Sequence, residues 1–201
     1  MARKPRNAYA GGYYHVYTRG NNRAAVYLDD LDREVFLLLL QRSQAKYEWV
    51  IFEWCLMTTH YHFVVCVPKN GLSRGMSELN GSFARWANLR HGRRNHLFGA
   101  RFNSNEITTD AYLLGACRYV VLNPVRADVC VHPQDWLWSS FRASAGIERP
   151  RRLHSRDVLL GHFRTLFGTP RGDEHDVYRA FVEAGIYADT PVPVPGTGTG
   201  V

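Results

Sequence analysis

The sequence has no run of about 18 apolar residues, the length a membrane-spanning helix needs. Its longest candidate, residues 35–40, is far too short, so no membrane partner is expected. The opening stretch MARKPRNAYAGGYY is charged and has no apolar segment of the secretory kind, which makes a cytoplasmic location the expectation. Cysteine is scarce: Cys55, Cys66, Cys117 and Cys130 form no CxxC pair, and three of them sit in apolar stretches. They read as reduced thiols acting as small hydrophobes, not as a disulfide framework or a zinc cage. Lysine is scarcer still, with three residues against 22 arginines. No internal repeat is present.

What is there suits a folded domain. The chain has 201 residues, 45% of them hydrophobic and 13% aromatic, which excludes a wholly disordered protein. A chain of this size buries roughly 70% of its unfolded surface without a covalent staple. The net charge of +7 is concentrated in the first hundred residues, which hold 14 basic and 7 acidic side chains, against 11 of each in the remainder. Guanidinium forks match phosphate oxygens in pairs, so a phosphate-rich partner fits this balance. An arginine-favouring codon bias accounts for the composition equally well.

Periodicity divides the chain into recognisable elements. Residues 13–18, YYHVYT, read as a strand, followed by the polar turn RGNNR. Residues 29–46 read as a helix that starts in the acidic cluster Asp29, Asp30, Asp32 and Glu34 and has Leu31, Val35, Leu38 and Leu39 as its apolar stripe. Residues 49–57 and 61–67 form a hairpin around Thr58, Thr59 and His60. Residues 72–90 are helical, with Leu72, Met76, Leu79 and Phe83 on one face and Arg74, Arg85 and Arg90 off it. A strand lies within 97–107. A helix over 110–122 is capped by Thr109 and stopped by Pro124. The order β-α-β-β-α-β-α predicts an α+β fold, a ferredoxin-like split βαβ with an antiparallel sheet, helices on one face and one extra helix. Residues 147–156 read as a linker, 157–167 and 176–185 as short accessory helices, and 188–201, which is rich in Pro, Gly and Thr, as a disordered tail. The expected division is therefore 1–146, 147–187 and 188–201.

Two groups of residues carry possible chemistry. In His60-Tyr61-His62, strand geometry puts both imidazoles on one face and Tyr61 on the other, which suits a metal clamp. Isolated surface or core-edge histidines give the same pattern. Tyr119 and Asn123 are four apart on the last helix and share a face. The Asn123 amide oxygen can complete a His-His-Asn site, with Tyr119 one turn away as a nucleophile, although a tyrosine there also fits an ordinary core edge. Arg3, Lys4, Arg6, Arg19, Arg23, Arg85, Arg90, Arg93 and Arg94 are candidates for nucleic-acid contact, and Tyr14 and Trp86 serve either base stacking or the core. Trp136 and Trp138 are expected to clamp the segment after the last helix onto the core.

Taken together, the stretches ARKPRNAYAGGYYHVYTRGNNR, LDDLDREVFLLLL, WCLMTTHYHFVV, LSRGMSELNGSFARWANLRHG, HLFGARF, DAYLLGACRYVVLNPVRA and WLWSSFRASAG resemble the REP-associated tyrosine transposases, a branch of the single-tyrosine HUH transposases. The resemblance spans residues 3–146. It implies His60 and His62 as metal ligands, Asn123 as the third, Tyr119 as the nucleophile, and Mg2+ or Mn2+ as cofactor. It further implies cleavage and rejoining of single-stranded, hairpin-forming DNA through a 5′-phosphotyrosine, by a monomer or homodimer associated with the nucleoid through its DNA. Thr58-Thr59 departs from the Ser-Asn or Pro-Asn usual before the first histidine and is expected to be peripheral to the ligands. HLFGARFNSNEI also departs from the usual strand. A non-catalytic nucleic-acid-binding module on the same fold and a replication or conjugation nickase are the alternatives.

Overall fold

The computed structural model describes residues 8–168 and 172–186. The expectations for Arg3, Lys4, Arg6 and the tail lie outside the described residues. Four strands, β1 (Gly12–Arg19), β2 (Val50–Leu56), β3 (His60–Val67) and β4 (Asn103–Ile107), form one sheet. The helices are α1 (Asp30–Tyr47), α2 (Leu72–Arg90), α3 (Asp110–Val121), α4 (Asn123–Arg126), α5 (Phe141–Ser144), α6 (Arg156–Phe167) and α7 (Glu174–Glu183). The strand order is β2-β3-β1-β4 with every neighbouring pair antiparallel, the ferredoxin-like arrangement expected of a split βαβ.

The sheet has a core on each face. On one face, Phe36, Leu37 and Leu40 of α1 and Leu72, Met76, Leu79 and Phe83 of α2 pack against Val16, Tyr61, Phe63 and Val65. On the other, Leu114, Cys117, Val120 and Val121 of α3, Leu159 and Phe163 of α6 and Tyr178 of α7 pack against Phe52, Cys55 and Val64. The two split-βαβ helices thus share one face, and the extra and C-terminal helices cover the other. All four cysteines are free.

The helix stripes fare differently. The four apolar positions expected on α2 are all buried. On α1, Leu31 and Leu38 are exposed, and the buried face runs through Asp32, Phe36, Leu37 and Leu40. The run VFLLLL satisfies several helical phases at once, and ion pairing at the helix start selects one. Asp29 caps α1 by accepting from the Asp32 N–H at 3.0 Å. Arg90, at the end of α2, donates to both Asp29 oxygens at 2.7 and 2.8 Å and to Asp32 at 2.5 Å. This clamp fixes the rotation of α1 against α2.

Thr109 caps α3 through the Tyr112 N–H, as expected. Pro124 does not end the helical path. After Leu122 the chain enters the single turn α4, with Pro124 in its first positions, where a missing N–H is tolerated. Residues 136–140 run along β2: Leu56 N–H donates to the Trp138 carbonyl at 2.8 Å, Ser140 N–H to the Trp54 carbonyl at 3.0 Å, and Trp136 Nε1–H to the Leu56 carbonyl at 3.2 Å. The tryptophan clamp is therefore present. The segment read as a linker is also docked. Leu153 and His154 are buried, and Ser155 N–H donates to the Ile51 carbonyl at 2.7 Å.

A bulge between Ile51 and Glu53 breaks the alternation of β2 and turns Glu53 toward the α5–α7 side. The buried carboxylate accepts hydrogen bonds from the hydroxyls of Ser140, Ser144 (2.5 Å) and Tyr178 (2.6 Å). Burial dominates over these donors and raises the Glu53 pKa from 4.5 to about 7. A raised carboxyl pKa means that the folded state binds the proton more tightly, so stability falls as pH rises from about 4.5 to about 7. Glu53→Gln removes the titration. Across that interval the wild type is expected to lose on the order of 3 kcal/mol relative to the variant, read by denaturant melts. Parallel pH profiles would contradict this account of Glu53.

Candidate functional site

Strand periodicity places His60 and His62 on the α3 side of β3, while Tyr61 is fully buried on the α1/α2 side. The two imidazole centroids are 5.1 Å apart and their planes nearly perpendicular, at 88°. At the end of α3 the chain brings Asn123 to them, with its Oδ1 3.4 Å from Nε2 of His60. The same amide donates through Nδ2 to the Tyr119 carbonyl at 3.3 Å, which locks the side chain against the helix end. Tyr119 presents its half-buried ring edge-on to His62, with centroids 5.8 Å apart. The structure therefore brings His60, His62, Tyr119 and Asn123 into one cluster drawn from β3, α3 and α4.

Three further contacts had no signal in the sequence. His15 on β1 is buried, and its Nε2 lies 2.9 Å from Nδ1 of His62. Its ring stacks on His62 at 5.1 Å and meets the Tyr119 ring edge-on at 5.5 Å. Thr59, expected to be peripheral, has its hydroxyl 3.0 Å from Nδ1 of His60. The Arg126 guanidinium lies over the Tyr119 ring at 5.2 Å, one turn beyond Asn123. A lone histidine in a strand, a threonine in a turn and an arginine past a proline each look ordinary until the chain folds.

All three imidazoles are biased toward neutrality. Burial lowers His15 to about 4. Burial, then the neighbouring His15 and His60 and the Arg19 charge, holds His62 well below the usual range. Burial also lowers His60, with Arg19 adding to it and Asn123 opposing. Neutral imidazoles keep a nitrogen lone pair at physiological pH, as metal ligation requires. Among the described residues, no cluster of three or more His, Cys, Asp or Glu side chains has metal-binding geometry. Any cation here would rest on two imidazoles and an amide oxygen, a neutral donor set that leaves coordination positions open.

The arginine candidates divide by location. Arg19 borders the histidines, opposite His60 in the β1–β3 register. Arg85 and Arg94 line a groove of about 1250 Å3 between α2 and the loop before β4, on the opposite side of the sheet. Asn80, Phe98 and Arg101, which sequence reading did not select, line it too. The Tyr61 hydroxyl donates to Asn80 at 2.7 Å, so the residue between the two histidines reaches the wall of that groove. Arg90 is committed to Asp29 and Asp32, and Arg93 donates to the Ala25 carbonyl at 3.1 Å. Both serve the fold. Arg23 is exposed in the turn after β1. Tyr14 is buried in the α1/α2 core, and Trp86 stacks on Phe83 at 5.9 Å. No described helix is long and apolar enough to cross a membrane.

Comparison with known proteins agrees with this architecture. The chain resembles a solved REP-associated tyrosine transposase bound to a REP hairpin, with 18% identity, a TM-score of 0.64, and coverage of 78% of this chain and 90% of the other. A crystal structure of a candidate transposase from Deinococcus radiodurans aligns with 15% identity and a TM-score of 0.42, over 64% of this chain and 92% of that one. No curated protein matches. The sequence model of the IS200-like transposases matches residues 8–122, a span that includes His60, His62 and Tyr119 and stops one residue before Asn123. With more than half its length matched in this way, the chain belongs to the family of IS200-like transposases.

Proposed function

We propose that this transposase cleaves and rejoins single-stranded, hairpin-forming DNA through a covalent tyrosine intermediate, with Tyr119 as nucleophile. The support is the convergence of Tyr119 and Asn123 on His60 and His62, which are far apart in sequence and within one cluster in space. The fold shared with a transposase bound to a REP hairpin favours a hairpin as the substrate class.

In the proposed reaction the Tyr119 oxygen attacks phosphorus and the phosphorus–3′-oxygen bond breaks. The phenolic proton leaves to solvent, and the departing 3′-oxygen takes up a proton. The products are a 5′-phosphotyrosine and a free 3′-hydroxyl. The phosphodiester energy is kept in the new bond, so attack by another 3′-hydroxyl rejoins DNA without a nucleotide cofactor.

His60, His62 and Asn123 would hold a divalent cation, Mg2+ or Mn2+. The hard amide oxygen and borderline imidazoles are suitable donors for these ions. When bound, such an ion polarises the phosphoryl oxygens and neutralises charge at phosphorus. An ordinary tyrosine, with a pKa of about 10, costs about 4 kcal/mol to deprotonate at pH 7. The Arg126 guanidinium over the Tyr119 ring adds positive charge from the protein itself beside the attacking group. Asn123 bonds the Tyr119 backbone carbonyl and faces His60, which keeps the helix end that carries Tyr119 beside the histidines.

Arg19, Arg23, Arg85 and Arg94 remain candidate phosphate contacts, because none of them forms an ion pair among the described residues. Arg3, Lys4 and Arg6 are further candidates on composition alone. Each phosphate contact should cost about 0.7 log units of affinity for a tenfold rise in salt on single-stranded DNA. Arg19→Ala, Arg85→Ala and Arg94→Ala are expected to weaken hairpin binding and flatten that slope in a salt titration. Salt-independent binding would contradict an electrostatic interface.

The direct test incubates the protein with labelled hairpin DNA and manganese and resolves the products on a denaturing gel. Wild type is expected to yield a slow-migrating adduct. Tyr119→Phe should keep DNA affinity and yield none, and His60→Ala, His62→Ala or EDTA should remove the adduct with binding largely retained. An adduct from Tyr119→Phe, or full cleavage in EDTA, would overturn the proposal. Wild-type binding with no cleavage would favour a non-catalytic module.

A further inference from the structure

Each of the two paired histidines has its Nδ1 engaged by a protein group. The Thr59 hydroxyl is 3.0 Å from Nδ1 of His60, and Nε2 of the buried His15 is 2.9 Å from Nδ1 of His62. An imidazole has only two nitrogens and, when neutral, one proton. If Nδ1 carries that proton as donor, Nε2 is left with the free lone pair. At His60 the proton belongs on Nε2, because the Asn123 amide oxygen 3.4 Å away can only accept, and the Thr59 hydroxyl then donates to Nδ1.

We propose that His15 is a positioning residue that accepts from Nδ1–H of His62, so that Nε2 of His62 is presented as a ligand to a divalent cation. This inference rests on the metal-binding reading above. His15 is suited to the role by its placement. It lies on β1, hydrogen-bonded to the neighbouring strand β3, with its ring stacked on His62 and edge-on to Tyr119. It therefore constrains the ring plane of His62 as well as the position of its proton. Groups that hold a ligating imidazole through its other nitrogen typically change metal affinity by roughly 10- to 100-fold when removed.

The test uses the full chain and Mn2+ alone, titrated calorimetrically and by the electron paramagnetic resonance of the free ion. His15→Phe keeps an aromatic ring against His62 and removes the acceptor. It is expected to weaken Mn2+ binding roughly 10- to 100-fold, with hairpin DNA affinity unchanged within error. In the metal-free wild type, imidazole 15N shifts should report Nδ1–H for His62. The His15→Phe variant should move His62 toward Nε2–H, a change that a packing defect alone does not produce. Wild-type Mn2+ affinity and an unchanged tautomer in His15→Phe would overturn the assignment of His15. If His15→Phe fails to fold, the wild-type spectrum decides: Nδ1–H at His62 supports the inference and Nε2–H overturns it. His60→Ala separates the two levels. If it binds Mn2+ as wild type does, the metal site itself is wrong. If it loses Mn2+ while His15→Phe retains it, only the positioning role is wrong.

Discussion

Strand β3 is committed to one register by the two cores that it separates. Tyr61, Phe63, Val65 and Val67 are fully buried against α1 and α2, while His62 and Val64 face α3. Apolar side chains such as Phe63, Val65 and Val67 each contribute about 1.5–3 kcal/mol by burial. A slip of one residue would turn all of them to the other face and carry the two histidines into the α1/α2 core. The position of the histidine pair is thus a by-product of hydrophobic packing on the opposite side of the sheet. Tyr61 shows this coupling directly: it separates the histidines in sequence, and its hydroxyl is satisfied by Asn80 of α2.

The other half of the cluster depends on how α3 ends. The buried stripe Leu113, Leu114, Cys117, Val120 and Val121 seats α3 on the sheet, which leaves Tyr119 at the edge beside His62. A simple stop at Pro124 would free the backbone there. Instead the turn α4 continues the path, and Asn123 bonds back to the Tyr119 carbonyl while facing His60. The docked segment after α4, clamped by Trp136 and Trp138 and by the Glu53 hydroxyl network, closes the same face. The C-terminal helices are therefore structural supports of the surface that carries Tyr119.

Much of this was legible in the sequence, and the failures have physical causes. The order of elements, the α2 stripe, the Thr109 cap and the shared face of His60 and His62 follow from periods and caps that polar residues mark clearly. The phase of α1 was not legible, because VFLLLL offers an apolar residue at every phase and a tertiary clamp of Arg90 on Asp29 and Asp32 decides among them. That clamp also removes Arg90 from the pool of free cations, which charge counting cannot foresee. The bulge that buries Glu53 has no local signature. His15 and Thr59 gain meaning only through hydrogen bonds made after the strands pair, so their types and positions alone gave no reason to select them.

The claim that joins these parts is that the tyrosine beside the histidine pair, and no other, forms the bond to DNA. Tyr17 offers a stringent internal control, because its ring also stacks on His62, with centroids 5.5 Å apart. The most direct measurement is mass spectrometry of proteolysed covalent adduct, formed with hairpin DNA and manganese, to locate the attached nucleotide. The account predicts a nucleotide phosphate on the peptide containing Tyr119. Attachment to Tyr17 or to any other residue would contradict it.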